Sequence, residues 1–359
     1  RGLADLGNAY DDGALSNRSL IINGGMTVAQ RATTFTGTNG GYRTVDRIGY
    51  VRNGATPTNT HSQSTDAPDG FSNSWKINVD TSAAMVAGND YGVMDYAIEA
   101  QDLQHLNYGT ASAQPLTLSF WVKSNVVGTY AVGLRQIDTT RYISATYTVD
   151  VSATWEYKTI TFVGDVSGVI NNDNGSGLQL EWPLSSGSDF TTGSNDVWSA
   201  NATDRWAGHA VAVLGTDANY FQITGVQLEV GDQSTPFEHR SYSDQLQSCM
   251  RYFEKIELPF SISPAGHTSR WGGNVWSGFT IPFQVSKRAQ PSVTEAASGV
   301  LWRRSSRPYG STSDLGSGTY GVRTPYGVSV FVGETGRTNG DECILFVTAG
   351  DYIEVEAEL

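Results

Sequence analysis

Apolar residues stand at every second position from Leu116 to Val122, with Leu116, Leu118, Phe120 and Val122 on one face. A period of two predicts a half-buried β-strand. Tyr130–Arg135, Tyr142–Val149 and Trp155–Phe162 follow with turns between them, and Phe221, Ile223, Val226, Leu228 and Val230 close the series in near alternation. Upstream, Ser19–Gly24, Thr27–Thr36, Asp46–Val51 and Ser74–Val79 predict short strands. Tyr91–Ile98 is apolar on both faces, as expected of a central strand between two layers, and Asp102–Leu106 predicts one helical turn. The Pro-, Ser-, Thr- and Asn-rich stretch Asn53–Gly70 reads as a loop of functional length. Strands at such intervals, joined by Gly, Asn, Asp and Ser turns, are the signature of a sandwich. The expectation is an all-β chain that opens with a jelly-roll β-sandwich.

The pattern changes after Val230. Gly231-Asp232 breaks the strand, Pro236 stiffens the exit and Phe237 offers an apolar anchor. Residues 1–17 are polar and lack a period, so they read as a lead-in from whatever precedes the domain; residues 18–240 read as the jelly roll. Residues 241–253 predict a short helical linker capped by Ser243, with Leu246, Met250 and Phe253 on one side. Residues 254–359 predict a second, smaller β-sandwich, with strands at Phe279–Val285, Ser292–Glu295, Val328–Val332, Cys343–Val347 and Tyr352–Glu358 and a polar loop at Arg303–Tyr320.

Composition agrees. The 359 residues suffice for two cores, and 40 glycines with 11% aromatics suit short strands and tight turns. A formal charge of −13 argues against nucleic acid and against an anionic membrane as partners, because phosphate binding needs clustered Lys and Arg. No apolar run approaches the ~20 residues of a membrane span, so no membrane insertion is expected. Cys249 and Cys343 are too few for a disulfide framework or a metal cluster; buried thiols or one bridge both fit.

Catalytic motifs are missing: no G-x-S-x-G elbow, no P-loop, no H-E-x-x-H, and five histidines far apart. Glu181, Asp189 and Asp196 are acids of the type that hydrolyse sugars, as any acidic β-protein supplies. Sugar binding has more support, since sugar C–H faces stack on aromatic rings while hydroxyls bond polar neighbours. Gly187–Tyr220 holds Trp198, Asn201, Asp204, Arg205 and Trp206; these contact a glycan, or the two tryptophans pin a long loop to the sandwich. Gly266–Gly278 holds Arg270, Trp271, Asn274 and Trp276 in what reads as an exposed loop, for a glycan or for trimer or core packing. Trp302, Arg303, Arg304, Arg307 and Tyr309 form a basic-aromatic patch, suited to an anionic glycan or to acidic neighbours. Trp75, Trp121, Trp155 and Trp182 lie within apolar strands and read as core.

A family resemblance joins these pieces. ITGVQLEVGDQSTPFEHRSYSDQLQSCMRYF, with SLIINGGMTVAQR, LTLSFWVKSNVVGTYAVGLRQ and WEYKTITFVGD upstream, resembles tail-fibre-type proteins of bacteriophages of marine bacteria, with a jelly roll similar to a carbohydrate-binding module. In the C-terminal part only the closing strand and the AEL ending share the likeness. The resemblance implies a non-catalytic virion fibre protein at the tail or particle surface, extracellular and homotrimeric, that attaches to a host cell-surface polysaccharide. It places other virion tail or capsid proteins as partners through a region before Arg1. No cofactor is required; a structural calcium between the first and last strands is compatible, near Asn23, Asp46 and Glu229, although Glu229 equally fits a solvated strand residue. The alternatives are a structural virion component without glycan binding and an accessory module of a polysaccharide-degrading enzyme. The ending directly after a strand is read against a further catalytic domain downstream.

Overall fold

The computed structural model describes residues 18–85, 87–257, 261–262, 269–271, 274–296, 301–304, 320–334, 343–346 and 352–359; for 261–280, 295–322 and 329–346 only the backbone is described. Two compact units divide the chain, the first ending at Leu246 and the second running from Gln247 to Glu358. The first unit contains β1 (Thr34–Gly37), β2 (Gly49–Asn53), β3 (Thr58–Ser64), β4 (Ser74–Thr81), β5 (Tyr91–Glu99), β6 (Leu116–Ser124), β7 (Gly128–Gln136), β8 (Arg141–Val149), β9 (Glu156–Phe162), β10 (Ser176–Ser186) and β11 (Tyr220–Val230). They form a six-stranded sheet ordered β1-β3-β4-β11-β6-β9 and a five-stranded sheet ordered β2-β5-β10-β7-β8. The described pairings are antiparallel, and the chain passes repeatedly from one sheet to the other, which is the jelly-roll path.

Side-chain alternation builds the core. Leu116, Leu118, Phe120 and Val122 of β6 meet Leu178, Leu180, Trp182 and Leu184 of β10 and Trp75, Ile77 and Val79 of β4 in one buried cluster. Phe120 sets its ring edge-on to Trp182, 5.7 Å between centroids. At ~25 cal/mol per Å² of apolar surface removed from water, such a cluster is the dominant stabilising term. β11 takes its place between β4 and β6, so the stretch that closes the predicted series is a central strand.

Local predictions fail where a polar strand or an irregular apolar stretch breaks the rule. Asn53–Gly70 is not one loop, because Thr58–Ser64 is β3, with Asn59 and His61 turned inward and threonines and serines outward. Ser19–Gly24 is a bent segment ending in a turn, not a strand: Leu20 N–H donates to the Leu228 carbonyl and the Gly24 carbonyl accepts from Val226 N–H, while Ile21 is buried. Only the end of Thr27–Thr36 enters a strand, as part of β1. The helical turn is a 3-10 helix, Ala100–Leu106, that buries Ala100, Leu103 and Leu106.

Helix α1 (Tyr242–Met250) follows; its start is capped by Ser241, whose Oγ accepts from Asp244 N–H at 3.2 Å, and not by Ser243. Cys249 is buried, and Phe253 lies outside the helix. The second unit is antiparallel β: β12 (Phe253–Glu257), β13 (Ser261–Ile262), β14 (Ser269–Trp271), β15 (Asn274–Pro282), β16 (Ser292–Ala296), β17 (Leu301–Arg304), β18 (Tyr320–Thr324), β19 (Gly327–Glu334), β20 (Cys343–Phe346) and β21 (Tyr352–Glu356). They pair as β12-β21-β16, β13-β20-β17 and β14-β15-β19-β18. Lys287 and Glu254 form a fully buried ion pair, Nζ to Oε2 2.5 Å, and the Met250 carbonyl also accepts from Nζ. Burial pulls the Lys287 ammonium below its ordinary value against the opposing pull of Glu254. Among the described residues, no helix is long and apolar enough to cross a membrane.

Candidate functional site

The segment after β10 packs onto the outer face of the five-stranded sheet. Its anchor is Trp206, fully buried against Val93 of β5 and Ala131 of β7. Glu181 projects outward from β10 and accepts from Arg205 Nε at 2.7 Å, Arg205 Nη2 at 2.6 Å and Trp206 Nε1 at 3.0 Å. The Arg205 guanidinium lies 4.4 Å from the Trp206 ring centre, with Tyr91 and Phe190 also in cation–π reach. Burial alone would lower the Arg205 pKa, but Glu181 more than offsets this and holds it above its ordinary value. Ser144 Oγ of β8 donates to the Asp204 carbonyl, and Asp204 Oδ1 accepts from Ser194 N–H at 2.6 Å. His209 Nδ1 accepts from Ala131 N–H, and burial drives this imidazole down to about 4.

Most of the first predicted ligand cluster is therefore structural. Trp206 has no exposed face, and Trp198 is 8% exposed with its indole N–H bonded to the Val163 carbonyl at 2.6 Å. Arg205 and Asp204 are engaged within the protein, so stacking and hydrogen bonding by these four residues is corrected to pinning a loop. Asn201 alone is exposed, at the start of a 3-10 turn. Glu181 has both oxygens committed, whereas Asp189 and Asp196 are exposed on the covering segment.

The proposed calcium ligands do not assemble as a ligand set. Asn23 and Asp46 are neighbours, but Asn23 turns its amide NH2 to the Val28 and Asp46 carbonyls and its Oδ1 accepts from Val28 N–H. Asp46 carboxylate oxygens accept from Gln30, and Glu229 binds the backbone and hydroxyl of Thr235. An amide that presents donors inward does not suit a cation. Among the described residues no group of three or more His, Cys, Asp or Glu could hold a metal ion.

In the second unit, Arg270 and Trp271 lie in β14, and Asn274 and Trp276 lie in β15. Trp271 stands opposite Asn274 and Ser269 opposite Trp276, so these are paired strands where a loop was expected. Arg304 ends β17 opposite Cys343, and Tyr309 lies outside the described residues.

An aromatic surface does exist, on the outside of the six-stranded sheet. Alternation turns Trp121 and Lys123 of β6 away from the core that Phe120 and Val122 enter. Register sets Tyr157 of β9 opposite Trp121, and Thr224 of β11 on its other side. The Trp121 and Tyr157 rings are 5.3 Å apart with planes 52° apart, and Tyr157 is 46% exposed. One step along the strands, Trp155 precedes β9 beside Lys123, which faces Gln222 of β11. Asp66, from the loop after β3, ties this row together: it accepts from Trp155 Nε1 at 3.1 Å, Lys123 Nζ at 2.7 Å and Gln222 Nε2 at 3.2 Å. Burial would raise the Asp66 carboxyl, but bonds from Lys123, Trp155 and Gln222 bring it below its ordinary value.

Gly225 extends this surface. It sits at an irregularity in the β11–β6 pairing with φ +61°, and a Cβ there would lie 2.7 Å from Phe71 and 3.1 Å from Trp121. Phe71 closes over the bare backbone and continues to Phe237 at 4.9 Å and His239 at 5.4 Å. Trp75 and Trp182 are core as expected, but Trp121 and Trp155 are half-buried on this outer face.

No protein-family model matches the chain, and no curated protein sequence matches it. Solved structures that overlap it include the enzymatically active domain of bacteriophage CBA120 tailspike protein 4 (10% identity, TM-score 0.30, 59% of this chain and 21% of that one). Others are the Clostridium thermocellum family 11 carbohydrate-binding module of Lic26A-Cel5E (12%, 0.28, 57% and 99%) and TmCBM61 with beta-1,4-galactotriose (11%, 0.28, 60% and 99%). These partial overlaps add no site correspondence; the architecture stands on the strand pairing itself.

Proposed function

We propose that this protein recognises a glycan without catalysis, through the outer face of the six-stranded sheet, as a homotrimeric fibre protein of a bacteriophage that attaches to host cell-surface polysaccharide. The observation that carries the glycan reading is the half-exposed Trp121–Tyr157 pair beside the Asp66-centred network of Trp155, Lys123 and Gln222. Aromatic rings with adjoining polar groups are what sugar C–H faces and hydroxyls require. The fibre assignment is supported by the resemblance of the β11-to-helix stretch and its upstream strands to tail-fibre-type proteins. Three linked copies would convert weak contacts into firm attachment by raising effective concentration.

The test is saturable binding of the purified chain to intact candidate host cells and to their extracted polysaccharide, with mass measured by light scattering. A trimer that binds and loses binding on Trp121→Ala supports the proposal. A folded trimer that binds neither material favours a purely structural virion role, and release of reducing ends from the polysaccharide would overturn the non-catalytic reading.

A further inference from the structure

We infer that the outer face of the six-stranded sheet takes an uncharged glycan, lying as a single chain across strands β9, β6 and β11 rather than along them; this rests on the reading of that face as glycan-binding. Charge sets the ligand class. The cations presented by the strands of this face are Lys76 and Lys123. Lys123 is bonded to Asp66 at 2.7 Å, and the Lys76 ammonium rests 4.8 Å from the centre of the Tyr220 ring. Against these two stand the carboxylates of Asp66, Asp80 and Glu229. The face has no positive excess, and the chain as a whole carries −13. A polyanionic glycan needs unspent Arg or Lys and would be repelled over its whole approach. A neutral glycan needs hydroxyl partners, which the exposed Asp66 and Thr159 supply beside the rings.

Ring placement sets the direction. Tyr157, Trp121 and Phe71 succeed one another across β9, β6 and the bare Gly225 of β11. Neighbouring strands are ~4.8 Å apart, so the rings advance by about one strand at a time, a step comparable to one sugar ring. Along the line of β9, by contrast, the one further ring is Trp155, whose indole N–H is tied to Asp66, and beyond Tyr157 come Thr159 and Thr161, which have no ring to offer. The 52° angle between the Trp121 and Tyr157 planes suits one twisted chain and does not suit a flat crystalline surface.

Affinity electrophoresis of the full chain distinguishes the possibilities, with gels cast in dextran, mannan, galactan or a β-1,3-glucan and in alginate, polygalacturonate or dextran sulfate. Retardation by at least one neutral polymer is expected, alike at about 50 and about 500 mM salt, because no screened charge pair drives it. Trp121→Ala should run as in a blank gel while keeping its near-UV circular dichroism. Phe71→Ala should weaken retardation about tenfold and Thr159→Ala less than about twofold, in keeping with energy concentrated on aromatic anchors; the reverse order overturns the direction. Retardation only by acidic polymers, or one that collapses with salt, with Trp121→Ala still abolishing it, overturns the uncharged class and leaves the face as the binding site. No retardation by any polymer, or retardation untouched by Trp121→Ala, overturns both.

Discussion

The two outer faces of the jelly roll spend the same residue types in opposite ways. On the five-stranded sheet, Glu181 bonds both Arg205 and Trp206 of the covering segment, with Trp206 and Glu181 fully buried and Arg205 mostly so. On the six-stranded sheet, Trp121, Tyr157 and Trp155 stand beside Lys123 and Asp66 with part of each ring in solvent. A Trp–Arg–carboxylate grouping is thus no sign of a binding site until its exposure is known. The first face is built for stability and the second has surface left for a partner.

Each substitution below should affect one face and spare the other. The largest effect is expected from Trp206→Ala, which removes a fully buried indole and its bond to Glu181; unfolding free energy should fall by about 3–5 kcal/mol in denaturant titration. Glycan affinity, measured where the variant is still folded, should be unchanged. A binding loss larger than the loss of folded protein would place ligand on the five-stranded face.

Acid should act on the protein through its buried imidazoles. Burial is the first cause that lowers His61 and His209 to about 4, below an ordinary 6.5, so the unfolded chain takes up their protons first as pH falls. Stability is fully present above pH 6.5 and declines down to about pH 4, by on the order of 3 kcal/mol for each group at ~1.4 kcal/mol per pH unit. Urea midpoints at pH 7, 5.5 and 4 should follow that slope, and His61→Gln should flatten its own share. A midpoint constant over this range would contradict the buried, neutral state of both rings.

On the other face, Trp121→Ala should lower glycan affinity by about 30-fold, the loss of one aromatic anchor, while the urea midpoint shifts little because the ring is only half-buried. Smaller still, Asp66→Asn should keep an acceptor for Trp155 but weaken the bond to Lys123, costing about three- to tenfold in affinity. If Asp66→Asn costs more than Trp121→Ala, polar contacts rather than stacking dominate the face.

Much of this was legible in residue order. Alternation in Leu116–Val122 predicted β6, and the same alternation already turned Trp121 away from Leu118, Phe120 and Val122; treating every strand tryptophan as core overlooked that parity. Trp155 was harder, because it precedes an edge strand whose inward positions, Glu156, Lys158 and Ile160, are only partly buried and mostly polar, which blurs the inward–outward alternation. Thr58–Ser64 was hidden because its inward residues, Asn59 and His61, are polar. The burial of Trp206 had no periodic signal at all: it depends on Glu181, 25 residues earlier in the chain and on the neighbouring strand layer. Asp66 also gave no local sign, since its three donors come from β6, the start of β9 and β11.

The central claim is that ligand occupies the outer face of the six-stranded sheet. Hydroxyl-radical footprinting of the full chain, with and without whichever of the neutral polymers named above retards it, tests this directly. Trp121, Trp155 and Tyr157 should be protected by the polymer, while Trp206 stays slow in both conditions and exposed Tyr326 stays equally fast. Unchanged oxidation of Trp121 and Tyr157 in the saturated complex would contradict the account.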